Sequence, residues 1–431
     1  MNVEQAIYLS VFVLWASATI QGIVSLWAGF RFFQYVRKMA AQAADLRGPD
    51  GRFVYQPRVA IILPCCGVDE KLEQTVGALA RLDYDDYQIV FTFESEDDPA
   101  YAAVGCWTEG WQRPKIRRIV AGLAQHRGQK THNLLAAVAA VSNDRETLVF
   151  LDSDVVPHAD WLGHLVAPLS EEGVGAATGY RWYAASGGPA AGVRCAWNAA
   201  TVSLLDDEAR NFCWGGSTAI LRRRFEALNV ARYWEHALSD DLQLTRAVRD
   251  GGLKIRFVPQ ALISSPQGTT FREFWGFARR QVIITRICGR EVWWSGLVLC
   301  ANMFTGGVAV AALFAVGLLG WFGSERATYA ALAGWVVITV LAAGKAVLRQ
   351  MALRLVLKPP DLSRRDTWWD VVGTLFLAGP VHLNLIFSTL WTRRITWRNT
   401  EYELISPEQT RVIGRVKANA PQPIPSTTTQ S

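Results

Sequence analysis

TLVFLDSDVVP, residues 147–157, is a short apolar run that ends in two carboxylates one residue apart. In an extended chain, Asp152 and Asp154 lie on the same face. Hard oxygen ligands at the carboxyl end of a buried strand suit Mg²⁺ or Mn²⁺ carrying a diphosphate. We therefore predict that Asp154 binds a metal directly and that Asp152 contributes to the same site, nearer to the ribose. The simpler alternative is a solvated turn in which an Asp caps the next helix.

The sequence before this stretch alternates between strand and helix patterns. Apolar runs typical of strands cover 58–64, 87–94, 115–122 and 147–152, and helical patterns cover 70–82 and 130–141. This alternation predicts an α/β domain with a mostly parallel sheet and helices on both faces. Ligands bind such sheets outside the carboxyl ends of the strands. Glu94 ends the second run, so we expect it to converge with Asp152 and Asp154 and to accept hydrogen bonds from a base or ribose.

The apolar residues are concentrated at the two ends of the 431-residue chain, which is 50% hydrophobic and holds 18 Trp. Residues 6–30 carry no charge and are long enough to span a bilayer. A signal peptide is a weaker interpretation, because no basic region precedes the segment. Three further apolar segments cover about 296–322, 327–348 and 368–392.

The basic residues cluster beside these segments, which favours a membrane surface over nucleic acid as the reason for the net charge of +6. Arg31, Arg37 and Lys38 place residues 31–290 in the cytoplasm by the positive-inside rule. Three more spans would then leave the C-terminus outside, although its flank is also basic. Either the rule fails once, or 368–392, which Gly379-Pro380 interrupts, does not fully cross.

These features predict five parts. They are an N-terminal transmembrane helix at 1–35, a linker at 36–56, a cytoplasmic catalytic domain at 57–290, membrane helices at 291–392, and a C-terminal flank with a disordered tail at 393–431. The seven Cys show no metal-ligand spacing, so we expect free thiols in a reducing compartment and no zinc site.

A second acidic pair, Asp240 and Asp241, lies in HALSDDLQLTRAVRDGG. One interpretation is helix capping by Ser239 or Asp240. The chemical interpretation makes Asp241 a general base that removes the proton of an acceptor alcohol, with Asp240 beside it. Lys130 begins a helix after HRGQ, where it either meets a diphosphate together with the helix N-terminus or is a surface lysine.

Two further motifs have both a chemical and a structural interpretation. In CWGGSTAILRR (213–223), Gly215, Gly216 and Ser217 either let backbone approach an acceptor closely or form a plain tight turn. FWGFARRQVIITRI (274–287) predicts an interfacial helix. Its arginines either flank a membrane segment or, as Arg280 and Arg286 with Gln281, steady a departing diphosphate.

The ordered motifs LPCC, FESEDDPA, QKTHNL, FLDSDVVP, CWGGS, LSDD, RRQVIITR and ITWRNTEYEL resemble those of membrane-bound family 2 glycosyltransferases. The nearest resemblance is to the bacterial ceramide-glucosyltransferase-like branch, over roughly 55–405. It implies a GT-A fold in a bacterial inner membrane. It also implies inverting, metal-dependent transfer of a hexose, usually from UDP-glucose, to a lipid hydroxyl. Glu94 matches the first acidic nucleotide-binding position, Asp152 and Asp154 the DxD motif, and Asp241 the base.

The chain departs from the family pattern in two places. No Trp follows Arg286, whereas the family's arginine motif commonly reads (Q/R)xxRW, and this argues against a processive polysaccharide synthase. Trp397-Arg398 resembles a post-membrane WRG motif with Asn399 in place of Gly, and we expect it to fold back onto the catalytic domain. Ceramide, a hopanoid and diacylglycerol are possible acceptors. The alternatives are transfer to a polyprenyl phosphate or a polymer, and a non-catalytic membrane protein that binds nucleotide-sugars.

Overall fold

A computed structural model describes residues 3–69, 71–206, 208–319 and 325–415. Its centre is a seven-stranded sheet with the order β3-β2-β1-β4-β6-β5-β7. The strands are β1 (Val59–Pro64), β2 (Tyr87–Phe93), β3 (Lys115–Val120), β4 (Thr147–Leu151), β5 (Val174–Tyr183), β6 (Ser217–Leu221) and β7 (Lys254–Ser265). The first four are parallel, and β6 runs antiparallel to its neighbours β4 and β5. The predicted mostly parallel α/β sheet is confirmed.

Helices cover both faces of this sheet. They are α2 (Leu72–Leu79), α3 (Pro99–Trp107), α4 (Gln129–Ala140), α5 (Trp161–Val166), α6 (Pro189–Val202), α7 (Arg222–Ala227), α8 (Val230–Trp234), α9 (Asp240–Asp250) and α10 (Phe271–Cys288). Successive side chains of β1 enter different core clusters: Ile61 packs in the cluster that contains Trp161, and Ile62 in the one that contains Trp234. A strand buried on both faces needs a continuous apolar sequence, which is why VAIILP shows no polar alternation.

The N-terminal helix α1 (Val3–Gln42) is longer than predicted. Residues 36–42, expected to belong to the linker, continue the helix because the catalytic domain covers one of its faces. Phe32 and Val36 are fully buried in a cluster that also contains Trp182 and Phe257. The N-terminal apolar segment and the α/β domain are therefore joined by one continuous helix.

Two long apolar helices follow the catalytic domain, α11 (Arg290–Leu318) and α12 (Glu325–Leu353). The α11 helix runs antiparallel to α1, because Gln21 donates to the Leu299 carbonyl while Gly306 lies close to Ala18. The α12 helix runs parallel to α1, since Trp15 donates to the Gly334 carbonyl nearer the start of both helices. The pair therefore forms a hairpin that returns the chain to the catalytic domain.

The last apolar segment consists of α13 (Arg364–Val372), a π-helical turn (Gly373–Leu377) and α14 (Ala378–Thr389). Among the residues that the structure describes, it is one of four helical segments long and apolar enough to cross a membrane. Both of its ends nevertheless contact the catalytic domain. Asp366 accepts a hydrogen bond from the Ala185 amide at 2.5 Å, and Arg286 of α10 donates to the Leu390 carbonyl at 2.6 Å. Contacts of both ends with one domain agree with the alternative in which this segment does not fully cross.

The expected C-terminal flank forms a small antiparallel sheet, which we call the C-terminal sheet (394–415). Its strands are β8 (Arg394–Trp397), β9 (Thr400–Ser406) and β10 (Gln409–Arg415). Tyr402 and Leu404 are buried in one cluster with Ile283 and Ile284 of α10. The predicted return of this region onto the catalytic domain is therefore observed. The tail expected to be disordered, 416–431, lies outside the described residues.

Candidate active site

The parallel strands bring the first acidic residues to one edge of the sheet. Glu94 follows β2, and Asp152 and Asp154 follow β4, each directly beyond a buried strand. All three line one cavity of 2410 Å³, which Asp240 and Asp241 also line. The structure thus brings together the five carboxylates that the sequence singled out.

Lys130 connects the two acidic pairs. Its ammonium lies 2.8 Å from Asp152 Oδ1 and 3.2 Å from Asp240 Oδ2, and it donates to the Gly215 carbonyl at 3.2 Å. Burial lowers the pKa of Lys130, but the carboxylates of Asp152 and Asp240 more than offset burial, so the pKa is raised. The sequence predicted a cation facing a diphosphate, and the structure shows a cation that ties together the carboxylates around it.

The N-terminus of α4, predicted to assist Lys130, is partly covered. The Gln129 amide donates to the hydroxyl of Tyr402 in the C-terminal sheet at 3.1 Å. This amide is therefore occupied by a side chain of the protein itself.

Arg181 is a site residue that the sequence analysis missed. It stands on β5 and donates to both carboxylate oxygens of Asp154, at 2.6 and 2.9 Å. Burial alone would raise the pKa of Asp154, but the guanidinium outweighs burial and lowers the pKa to about 2. The available signal was an arginine inside the aromatic strand sequence GYRWY, since arginine is almost never fully buried unless it is paired.

Asp240 and Asp241 stand at the start of α9 in different environments. Ser239 is the N-cap of this helix, as one interpretation predicted. Asp240 is buried, and burial raises its pKa to about 7 against the opposing effect of Lys130. Asp241 is more open and accepts hydrogen bonds from the Ser239 hydroxyl at 2.5 Å and the Leu242 amide at 2.8 Å. These donors hold Asp241 as an oriented carboxylate at the cavity wall.

The backbone at Gly215 and Gly216 does approach other groups closely, as predicted. The groups that it approaches are acidic side chains of the site, whereas the prediction was an acceptor. A Cβ on Gly215 would lie 2.5 Å from Asp240 Oδ2, and one on Gly216 would lie 2.7 Å from Asp152 Oδ2. Ser217 does not match its predicted role at an acceptor. It begins β6, is fully buried, and accepts a hydrogen bond from the Trp161 indole at 2.9 Å, because alternation along the strand turns it into the core.

The α10 helix presents Arg280 and Gln281 to the cavity as predicted. The Arg280 guanidinium lies 5.6 Å from the ring centres of Phe277 and Trp397 and makes no ion pair with any described residue. Burial lowers its pKa. Arg286 is not part of this group: it donates to carbonyls at the end of α14 and lines a separate pocket. Six residues along a helix amount to about 240° of rotation, so the two arginines point in different directions.

The C-terminal sheet places two more cations over the cavity. Arg415 donates to Glu94 at 2.9 Å and to the side-chain oxygen of Gln129 at 2.9 Å. Arg398 donates to Asp69 at 3.2 Å. Sequence reasoning placed Trp397-Arg398 against the domain but had no means of finding Arg415, since no local pattern shows which strand it would meet.

The cavity continues from the carboxylates toward the membrane helices. We call this extension the membrane lobe; its walls come from α1, α6, α11, α12 and the π-helical turn. Residues that line it are Trp27, Trp197, Leu299, Ile338 and Thr374. One continuous space therefore joins the acidic site to surfaces that are mainly apolar.

Comparison with known proteins shows which family the chain matches and which solved structures have a similar fold. Residues 10–410 match the family model described as glycosyl transferase family 21. A mannosyltransferase from Pyrobaculum calidifontis, solved with GDP-mannose and Mn²⁺, has a similar fold at 17% identity. The match covers 84% of this chain and 99% of that one, with a TM-score of 0.51.

A glucosyl-3-phosphoglycerate synthase from Mycobacterium tuberculosis, solved with Mn²⁺ and UDP-glucose, matches 58% of this chain and 81% of that one at 17% identity and a TM-score of 0.36. The family match agrees with the glycosyltransferase resemblance that the motifs indicated. The chain belongs to glycosyl transferase family 21 and is a glycosyltransferase with a GT-A fold.

Proposed function

We propose that this protein transfers a hexose, glucose in the first instance, from a UDP-sugar to the hydroxyl of a membrane lipid such as ceramide, with inversion at the anomeric carbon. One observation carries the proposal: a single cavity joins the acidic site to the membrane lobe. A lipid can enter such a space sideways from the bilayer while the nucleotide enters from water. The choice of glucose and ceramide rests on the motif resemblance.

Asp152 and Asp154 would hold a divalent metal at the donor end once Arg181 released the Asp154 carboxylate. Asp152 and Asp154 offer hard oxygen ligands, and their side chains are 29% and 30% exposed toward the cavity. Asp152 Oδ2 accepts no hydrogen bond from the described residues, so it is available to an ion. The structurally similar mannosyltransferase was solved with Mn²⁺ and a nucleotide-sugar. A bound Mg²⁺ or Mn²⁺ would supply charge neutralisation for the diphosphate.

The protein's own residues around that position have separate roles. Glu94 accepts hydrogen bonds from the base or ribose, and Asp152 lies on the ribose side. Lys130 and Arg181, now paired with carboxylates, are close enough to exchange those partners for diphosphate oxygens. A guanidinium offers two parallel donors to such a group.

Asp241 acts as the general base. It removes the proton of the lipid hydroxyl as the oxygen attacks the anomeric carbon from the side opposite UDP. The Ser239 hydroxyl and the Leu242 amide fix the orientation of its carboxylate. Asp240 is buried behind it, and its contact with Lys130 links the base to the donor side.

Arg280 and Gln281 stabilise the departing UDP. Charge grows on the diphosphate as the sugar leaves, and a buried guanidinium without an ion pair is available to meet it. Arg31, Arg37 and Lys38 in the last part of α1 favour a cytoplasmic catalytic domain in a bacterial inner membrane.

The test is a transfer assay on the full chain in lipid nanodiscs, with labelled UDP-glucose, UDP-galactose or UDP-GlcNAc, ceramide and Mg²⁺ or Mn²⁺. We expect an organic-extractable labelled lipid from wild type that Asp241→Asn does not form. Label in an insoluble polymer, or UDP binding without any product, would contradict the proposal.

A further inference from the structure

Lys345 is a charged residue within the membrane-spanning part of the chain that the proposed reaction does not use. It stands on α12, seven residues before Ala352, which is buried beside the catalytic domain. Seven helical residues span about 10 Å, so Lys345 lies about 10 Å along α12 from that contact. Its side chain lines the membrane lobe, and its stem packs against α1, where only a glycine, Gly29, leaves room for it.

The charges around Lys345 are balanced except for its own. Arg31 of α1 donates to both carboxylate oxygens of Asp206. Arg349, one helical turn beyond Lys345, forms a fully buried ion pair with Asp370. Lys345 forms no hydrogen bond or ion pair with any described residue, so its ammonium group is available to an anion in the lobe.

An isolated ammonium inside an apolar layer is costly unless an anion or water accompanies it. A lysine that snorkels would extend along the outer surface to the headgroup layer. Lys345 instead faces a space bounded by apolar side chains such as Leu341 and Phe376. The opposite wall includes the π-helical turn (Gly373–Leu377), a distortion frequent at functional sites.

We propose that the membrane lobe holds a phospholipid, with Lys345 bound to its phosphate. The apolar walls suit acyl chains, which favours a lipid phosphate over free phosphate. This inference does not depend on the proposed reaction, because it concerns binding in the absence of any sugar donor.

The experiment is native mass spectrometry of the full-length protein in detergent with equal amounts of phosphatidylglycerol and of diacylglycerol carrying the same acyl chains. We expect wild type to retain phosphatidylglycerol and Lys345→Met to retain at least tenfold less. Lys345→Arg, which keeps the charge, should retain most of it. The control Lys38→Met, at an exposed position on α1, should match wild type.

Three outcomes would overturn the inference. Equal phosphatidylglycerol retention in Lys345→Met and wild type would show that the lysine does not bind it. An equal loss of diacylglycerol in Lys345→Met would show altered packing. Displacement of the lipid by excess inorganic phosphate would show a free-phosphate site. Lys345→Arg guards against a variant that fails to fold, because it keeps the charge and the length of the side chain.

Discussion

The donor end of the cavity and the side facing the membrane differ in how their charges are paired. At the donor end, carboxylates and cations are matched within the protein. The pairs are Asp152–Lys130, Asp154–Arg181, Glu94–Arg415 and Asp69–Arg398. By contrast, Arg280 on α10 and Lys345 in the membrane lobe have no ion pair with any described residue. The cations at the donor end must therefore exchange partners to bind a diphosphate, whereas an anion can approach Arg280 or Lys345 without displacing a carboxylate.

The largest expected effect on transfer comes from Asp241, which belongs neither to the donor-end ion pairs nor to the unpaired cations. Asp241→Asn keeps the shape and the hydrogen bond from Leu242 but cannot accept the proton of the lipid hydroxyl. We expect transfer to fall about 10²–10⁴-fold with little change in UDP binding. Single-turnover rates and UDP titration measure the two quantities. Asp160→Asn, at an exposed carboxylate paired with Arg47, is the control and should transfer at the wild-type rate.

If the acceptor carries a phosphate, no strong base is needed, and Asp241→Asn would remain nearly as active as wild type. That result would move the acceptor to the polyprenyl-phosphate class without affecting the assignment of the donor end.

Breaking a pair at the donor end should cost stability. Lys130→Met leaves Asp152 and the buried Asp240 without their cation, and removing one partner of a buried pair costs about 3–5 kcal/mol. Thermal unfolding in detergent would show a lower midpoint than wild type or the exposed-site control Lys115→Met. The double variant Lys130→Met/Asp240→Asn should recover part of the loss, because it removes one of the stranded carboxylates.

The deficit should also depend on pH. Lys130 lowers the pKa of Asp240, which burial holds at about 7. This pKa is already above the value in the unfolded chain, and removing the lysine raises it further. A raised folded-state pKa costs stability as pH rises, so the difference between Lys130→Met and wild type should grow above pH 7 and shrink toward pH 6. A deficit that is largest at pH 6 would contradict this charge assignment.

The sequence predicted the donor carboxylates better than their partners, and the reason is physical. Asp152, Asp154 and Glu94 follow apolar strands, and parallel strands end at one edge of a sheet, so local patterns suffice. Arg181 and Arg415 reach them across the fold from other strands. Their positions depend on sheet order and on the return of the C-terminal sheet, which no spacing encodes.

The errors have the same origin. Arg286 was grouped with Arg280 by closeness in sequence, although helical rotation separates them. Ser217 was grouped with Gly215 and Gly216, although the strand turns it into the core. Hydropathy alone also could not show how 368–392 packs against the rest of the fold, because the contacts at its two ends come from residues distant in sequence.

Removing an unpaired cation should leave stability unchanged and reduce transfer, whereas removing a paired cation should mainly reduce stability. Arg280→Met loses a guanidinium whose burial is not offset by an ion pair, so we expect unchanged or slightly higher thermal stability. Transfer should fall about 10²-fold, because the departing diphosphate loses a preorganised donor. Arg279→Met, which loses only a 3.3 Å hydrogen bond to the Ser388 carbonyl, should transfer normally. A large loss of stability in Arg280→Met would show that a partner exists after all.

The smallest expected effect tests whether the donor-end pairs compete with substrate. Arg415 occupies Glu94, and both side chains are partly exposed, at 30% and 23%, so the pair contributes at most about 1 kcal/mol. If the nucleotide takes over Glu94, Arg415→Ala should lower the KM for the UDP-sugar by up to about fivefold and leave kcat unchanged. Arg411→Ala, whose partner Glu403 lies within the C-terminal sheet, controls for damage to that sheet. A higher KM in Arg415→Ala alone would mean that Arg415 itself binds the donor, so that the donor end gains a cation on binding and does not merely exchange one.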